Sequence, residues 1–584
     1  MSLPDHRWLP IVGFWLIALS CLTSAGVAHP PSQRSPAWDP GQLANGGPNQ
    51  RYNAEEEAFM HTPPGFQKPG KAVIAAGKTT VLQVTILDRA TGKPTGCRVN
   101  VVGPDGNFYE PFVNLLALWS RQKITGGETH GPSRYYGWYF YTNGQFEVTV
   151  PVGTVRIEVW KGNEYRPQHK VVEVGEVVEE SSHEVEIQIA RTVSMQEFDY
   201  YSGDTHIHLD RRNEADDQRA LDLMAAEDIQ YGFLLCMNDP RTYSGGMERQ
   251  EWPQSNGFGS NSVKTRGIYG IVSAQEYRSK NFGHICLLMH DRLVLEGRTV
   301  DPNRWPVFGE IGLRTRKLGG YSFHAHGGYS KEIYADYVQQ ATDGVELLQM
   351  AHYRGIGLTG WYRIMNIGFP FPALAGSDFP YVRALGDCRN YVYSAQRPDF
   401  AAWTRAAAAG HSFITTGPLL LLEVDGHQPG DTIELNDSEA DSLDIRIRVR
   451  SEVTRVNYLD LIVGGKTARR WTLPQGKENM GQWHEFHHRL SVDGPTWVAA
   501  RAHSLSRTGR PDAEAHTNAV TILQEGKKPY HAEDLKELLK QLDERIRELK
   551  ERDFPEKAQA VRFFEQSRQQ LLELQAAHES EDPS

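Results

Sequence analysis

Apolar and polar residues alternate along Val81-Leu82-Gln83-Val84-Thr85-Ile86, the period of a half-buried strand. Ala90-Thr91-Gly92-Lys93-Pro94 then supplies a turn before residues 97–102 resume a strand. Residues 145–150 and 155–160 flank Pro151-Val152-Gly153 as a hairpin, so 71–191 reads as a β-sandwich. From 192 to 417 the period changes: strand-like runs at 231–236, 268–272, 321–324, 344–348 and 373–375 alternate with helical stretches such as 220–228 and 331–341. Repeated strand and helix units predict a barrel whose site lies at the C-terminal ends of its strands. After Thr416-Gly417-Pro418 strand periods return at 419–424, 443–449, 458–463 and 497–502, a second β-sandwich over 418–525. In 526–584, Leu535, Leu538, Leu542, Ile546 and Leu549 recur at helical spacing, break near Pro555 and resume over 561–574. The heptads are too few for a coiled coil, so a helical hairpin packed on the body is expected.

Residues 29–70 are rich in Pro, Gly, Asn and Gln and read as a linker or arm. Before them, Arg7, an apolar run over 9–22 and small residues Ser24, Ala25, Gly26 and Ala28 predict a signal peptide over 1–28 and an exported, periplasmic or extracellular protein. An uncleaved anchor, or a lipid on Cys21 in a poor lipobox, are the minor alternatives. No later run reaches the roughly 18 apolar residues that a span needs, so no integral membrane span is expected after cleavage. A length of 584 residues implies several domains, and 62 basic against 73 acidic residues give a net charge of -11, which disfavours nucleic acid. Cys97, Cys236, Cys286 and Cys388 are widely spaced and read as buried thiols.

Four stretches carry the chemistry: Gly203-Asp204-Thr205-His206-Ile207-His208, Glu276 with His284, His324-Ala325-His326, and Gly376-Ser377-Asp378. Residues i and i+2 of a strand share a face, so His206 and His208 can place two imidazoles on one cation. Imidazole with carboxylate suits zinc, manganese or iron, one or two divalent ions, whereas calcium takes oxygen donors. Glu276 has two oxygens and is the candidate bridge between two cations. Of His324 and His326 only one need be a ligand; His352 and Asp239 are weaker candidates, and Asp204 is placed to orient an imidazole. Arg354, Arg363, Arg278 and Lys280 fall in predicted loops where a cation can clamp an anionic substrate. Tyr135, Tyr136, Trp138, Tyr139, Phe140 and Tyr141 offer a sugar-stacking surface, or a hairpin packed on the next domain.

Residues 84–94, with Asp88, Thr91, Gly92 and Pro94, resemble the opening of carboxypeptidase-regulatory-like modules, which implies a non-catalytic domain. The order GDTHIH, Glu276 to Gly283-His284, Ala325-His326-Gly327-Gly328 and Gly376-Ser377-Asp378 resembles the PHP (polymerase and histidinol phosphatase) metallohydrolases. It is most similar to their CehA/McbA branch of carbamate-ester hydrolases, over residues 195–430. The resemblance implies a distorted seven-stranded (β/α)7 barrel between the two β-sandwiches. It also implies one cation on His206, His208 and Asp378, a second on His284 and His326, and Glu276 bridging, with Asp378, His326 and Glu276 in the catalytic set. Two departures matter. Met237-Asn238-Asp239 replaces the Thr-Asp-His common in the family, and Phe379-Pro380 follows Asp378 where a histidine is common. A mononuclear or dinuclear site is therefore expected.

These features imply an exported hydrolase in which a metal-bound hydroxide cleaves a small-molecule ester, either a phosphoester or a carboxyl or carbamate ester. The alternative is a catalytically reduced barrel acting as a metal- or glycan-binding surface protein, with glycan contact through the β-domains. Amidohydrolase-type barrels also use His-x-His, but commonly with a bridging lysine, and no lysine falls at a predicted strand end here.

Overall fold

The computed structural model describes residues 75–114, 116, 139–176, 183–237, 257–279, 282–294, 308–328, 332–349, 352–380, 384–435, 442–474, 480–504, 513–554 and 556–581. The expected signal peptide, the whole of the expected linker, Tyr135, Tyr136, Trp138, Asp239 and Lys280 lie outside them. The described chain is mostly β, in several domains, with a C-terminal pair of helices.

Strands Thr79–Asp88, Gln145–Pro151 and His183–Ile189 form one sheet; Cys97–Val102, Phe140–Thr142, Gly153–Trp160 and Gln168–Val174 form another. Leu82, Val84 and Ile86, from alternate positions of the first strand, share a core with Val99, Val101, Ile157 and Val159 of the second sheet. That second sheet is buried on its other face too, where Arg98, Asn100, Glu158 and Trp160 lie. Its partner is helix α1, Glu214–Glu227, capped by the Asn213 side chain accepting from Asp216 N at 3.1 Å. Arg98 Nε lies 3.1 Å from Glu227 Oε1, and Tyr139, Tyr141 and Trp160 share an apolar cluster with Leu221 and Met224. Tyr139, Phe140 and Tyr141 are therefore buried and offer no surface to a sugar.

Among the described residues, the central region has nine strands of four residues or more: β1 Tyr200–Ile207, β2 Tyr231–Met237, β3 Tyr269–Ser279, β4 Gly283–Leu288, β5 Tyr321–His324, β6 Gly344–Gln349, β7 Ala373–Gly376, β8 Arg389–Tyr393 and β9 Ser412–Thr415. β1, β2 and β3 run parallel, as do β5, β6 and β7, while β4 is antiparallel to both of its neighbours. The sheet curls partly toward itself. An Ile207–Phe379 bridge links the end of β1 to the turn after β7, and the Asn390 amide donates to Ala375 O at 2.7 Å and Gly203 O at 3.3 Å.

Helices α2 (Phe308–Lys317), α3 (Ile333–Asp336) and α4 (Gly357–Asn366) precede β5, β6 and β7, and α5 (Phe400–Ala408) precedes β9. The expected strand and helix alternation breaks between β3 and β4. Ser279 pairs with Gly283, a connection far too short for a parallel crossover, so the two strands form a hairpin.

The second β-region is also less separate than expected. Leu419–Val424, Ser442–Arg450 and His484–Ser491 form their own sheet, but Glu514–Thr517 pairs directly with β9, Phe413 against Thr517. Residue 417 is thus a point where one sheet hands over to the next. Helices α6 (Ala532–Glu551) and α7 (Lys557–Glu581) bury Leu535, Leu538, Leu542, Leu549, Phe564 and Leu571 in a cluster shared with Trp361 and Ile364 of α4. Among the described residues no helix is long and apolar enough to cross a membrane. Cys97, Cys236, Cys286 and Cys388 are free and buried.

Two stability measurements test this packing. Leu542→Ala empties a fully buried position of α6 and is expected to cost about 2–5 kcal/mol in denaturant unfolding. Burial pushes the Glu158 carboxyl up to about 8, against the Trp160 indole. The folded state therefore keeps a proton that the unfolded chain loses above 4.5, and stability falls as pH rises through that window. Glu158→Gln, neutral throughout, is expected to match wild type in melting temperature near pH 4.5 and exceed it increasingly up to pH 8; a difference that does not vary with pH would refute this.

Candidate metal centre

Every position of β1 is buried, including polar Ser202, Asp204, Thr205 and His206, so each polar group needs a partner. Ser202 Oγ donates to Asp228 O at 3.1 Å and Thr205 Oγ1 to Ala375 O at 3.1 Å. Asp204 accepts from His206 N, Ser377 N, Ser377 Oγ and Gly386 N at 2.5–3.1 Å. It does not orient an imidazole, as its sequence position suggested; it ties the backbone of β1 to the turn after β7.

Beyond Asp204 the strand end carries the first donor group. His206 Nε2 and His208 Nε2 lie 3.1 Å apart, with Asp378 Oδ1 at 3.5 and 3.2 Å from them. Glu276 Oε1 lies 3.7 Å from His206 Nε2, and Glu276 Oε2 lies 3.6 Å from His208 Nε2. A second group shares the same carboxylate. Glu276 Oε1 is 2.8 Å from His284 Nδ1 and 3.6 Å from His326 Nε2, and these two nitrogens are 3.1 Å apart. His206, His208, Glu276, His326 and Asp378 are buried, and His284 is nearly so.

Neighbouring side chains fix which ring nitrogens face inward. His206 Nδ1 lies 2.9 Å from Glu346 Oε2, which can only accept, so in the neutral ring Nδ1 carries the proton and Nε2 presents its lone pair. Gln349 Nε2 donates to Glu346 Oε2 at 3.3 Å, which turns its amide oxygen to His326 Nδ1 at 2.5 Å. His326 Nε2 is left as a second inward lone pair. Converging lone pairs and carboxylate oxygens repel one another unless a proton or a metal cation lies among them.

The spacing fits that cation. Donors at roughly 2.0–2.2 Å in a tetrahedron are roughly 3.3–3.6 Å apart, and the separations around His206, His208, Asp378 and Glu276 span 3.1–3.7 Å. Clusters of histidine and carboxylate able to hold a metal are thus present: His206 with His208 and Glu276, His206 with His326 and Asp378, and Glu276 with His284 and His326.

Charge in the group is strongly perturbed. Burial alone would raise Glu276, yet Arg278 and His284 hold it well below the usual carboxylate range. Arg278 Nε lies 2.7 Å from Glu276 Oε2. Burial opposes protonation of His206, but Glu346, Cys286 and Asp378 raise its pKa well above the usual value. Burial lowers that of His208, and pushes the Cys286 thiol up to about 12.

The backbone is constrained as well. His326 (φ 55°) and Asp378 (φ 56°) are left-handed non-glycine residues, each costing about 1–3 kcal/mol. A Cβ on Gly376 would fall 2.0 Å from Glu346 Oε1 and 2.5 Å from His206 Cβ, so only glycine lets Glu346 reach His206 there.

All six expected ligands, His206, His208, Glu276, His284, His326 and Asp378, converge. His324 does not join them. β5 ends at His324 and the chain passes into a 3-10 turn over Ala325–Gly328, so the i, i+2 rule fails; His324 Nε2 instead lies 2.8 Å from Asp336 Oδ2 of α3. Arg363 sits on α4 with Nε 3.3 Å from Asp534 of α6, a packing contact rather than a substrate clamp. Arg354 is half-buried, its carbonyl against Gly327 beside His326. His352 opens a two-residue strand and its side chain, like Asp239, is outside the described residues.

Sequence reasoning missed Glu346, Gln349 and Cys286. Glu346 did leave a signal: it is a carboxylate inside Gly344–Gln349, a strand buried at every position. Cys286 pairs across the hairpin from Glu276, with Sγ 3.4 Å from His206 Nδ1.

No family model and no curated protein matches the chain. Among solved structures, PsfC from Pseudomonas syringae PB-5123 is similar at 14% identity over 36% of this chain and 90% of that one, with a TM-score of 0.27. A calcium binding mutant of Bacteroides uniformis beta-glucuronidase 2 aligns at 8% identity over 77% of this chain and 58% of that one, with a TM-score of 0.15. At these scores neither carries an argument about fold or function.

If Glu346 fixes the His206 tautomer, Glu346→Gln is expected to weaken metal binding by about 10–100-fold, read by chelator competition. Unchanged affinity would refute that role.

Proposed function

We propose that this chain is an exported, metal-dependent hydrolase of small-molecule esters, phosphoester or carboxyl and carbamate, built on a PHP-like barrel. The observation that carries this reading is the shared Glu276, whose carboxylate lies within 3.7 Å of four imidazole nitrogens, those of His206 and His208 and those of His284 and His326. The seven strands β1 to β7, with β1 and β7 linked through Phe379, support the barrel. His206, His208 and Asp378 would hold one divalent cation, zinc, manganese or iron, and His284 with His326 a second. Bound there, such cations supply a water nucleophile at neutral pH and stabilise the developing oxyanion.

The chain's own residues do the rest. Arg278 keeps Glu276 ionised, Glu346 and Gln349 hold the protons of His206 and His326 on their outer nitrogens, and the buried walls limit water. Asp378 Oδ1, facing both β1 imidazoles, is the oxygen that would hold the cation, which leaves the second oxygen of that carboxylate to accept a proton from water.

A second reading is favoured by one feature. Phe379 and Pro380 are buried where the family commonly has a histidine, which fits a metal-binding protein with reduced turnover. Elemental analysis of purified protein, with a panel of phosphate, carboxylate and carbamate esters on wild type and His206→Ala, separates the two. The hydrolase reading expects bound divalent metal and turnover of at least one ester, both lost in His206→Ala. Metal without metal-dependent turnover favours the binding reading, and wild type without metal contradicts both.

A further inference from the structure

Among the described residues, Tyr141 links the N-terminal β-domain to the metal centre. Tyr141 meets Phe379 edge-on, ring centroids 6.1 Å apart and planes at 85°, and Phe379 directly follows the ligand Asp378. The Tyr141 hydroxyl donates to Glu227 Oε1 at 2.9 Å and accepts from Leu385 N at 3.1 Å. Glu227 is itself held by Arg98 of the same domain. Phe379 O accepts from His208 N at 2.6 Å, so the residue beneath Tyr141 touches the backbone of a second ligand. From the inner side, Asp204 grips Ser377 and Gly386. Asp378 thus stands in a left-handed conformation with its flanks pinned by Asp204 on one side and Tyr141 on the other. A non-glycine residue keeps such a conformation only where its surroundings over-determine it.

We propose that Tyr141 is a positioning residue for Asp378, making the N-terminal β-domain a working part of the metal centre rather than an attachment module. This rests on the metal-centre reading above and does not depend on turnover. Without the tyrosine ring, Phe379 loses its backing and Asp378 relaxes away from the β1 histidines, so a bound cation keeps its imidazoles but loses a carboxylate donor.

Cobalt(II) is the probe, because its visible absorption follows the donor set and its titration gives affinity. Metal-depleted full-length wild type, Tyr141→Leu, Tyr141→Phe and Leu542→Ala are titrated, with melting temperatures recorded. Tyr141→Leu is expected to weaken cobalt binding by about tenfold or more and change the spectrum. Tyr141→Phe keeps the ring and restores the wild-type spectrum. Leu542→Ala, destabilised on α6, leaves it unaltered. A wild-type spectrum and affinity in Tyr141→Leu overturns the proposal, as does the same spectral change in Leu542→Ala. Wild type that takes up no cobalt overturns the metal centre itself, a result distinct from either.

Discussion

Acceptor atoms crowded into a place that water barely reaches are the constraint on which the central region depends. Four imidazole nitrogens, one carboxylate oxygen of Asp378 and both oxygens of Glu276 are linked by separations of 2.8–3.7 Å. Among the described residues the Arg278 guanidinium and ring protons offset that charge. In a low-dielectric interior such repulsion is not screened, so the arrangement is costly unless cations occupy it.

Much of the surrounding structure can be understood as the means of enforcing that arrangement. Asp204 spends four hydrogen bonds on backbone and hydroxyl groups and touches no ligand ring, yet it sets where β1 and the Asp378 turn meet. Gly376 leaves room for Glu346, which in turn fixes His206 and, through Gln349, His326. The β3–β4 hairpin puts Glu276 and His284 on adjacent strands two registers apart, so one short connection supplies both the shared carboxylate and a ligand of the second group. The flanking β-regions are integrated in the same way, one through α1 and the other by direct strand pairing with β9.

The six candidate ligands were legible because each sits at a strand end or hairpin where a polar residue interrupts an apolar run. Strand periods and the helical stripe of the tail were legible for the same reason: burial imposes a period of two or of three to four. Three things were not. The turn after β5 rotates His326 away from His324, and nothing in His-Ala-His announces a left-handed backbone. Arg363 reads as a loop cation but belongs to a helix that packs on the tail. Glu346 and Gln349 act through other residues, so their roles appear only when strands distant in sequence are side by side. The βα alternation was over-read across β3 and β4, where the loop length should have forced a hairpin.

Anomalous scattering from a crystal of the full chain grown with zinc, collected at the zinc edge, tests the central claim most directly. The account predicts two peaks, one among His206, His208 and Asp378 and one between His284 and His326, with one Glu276 oxygen toward each and a separation of roughly 3.5–4 Å. A single peak in the first group would reduce the centre to one metal. No peak at Glu276, with the six side chains in place, would contradict the account.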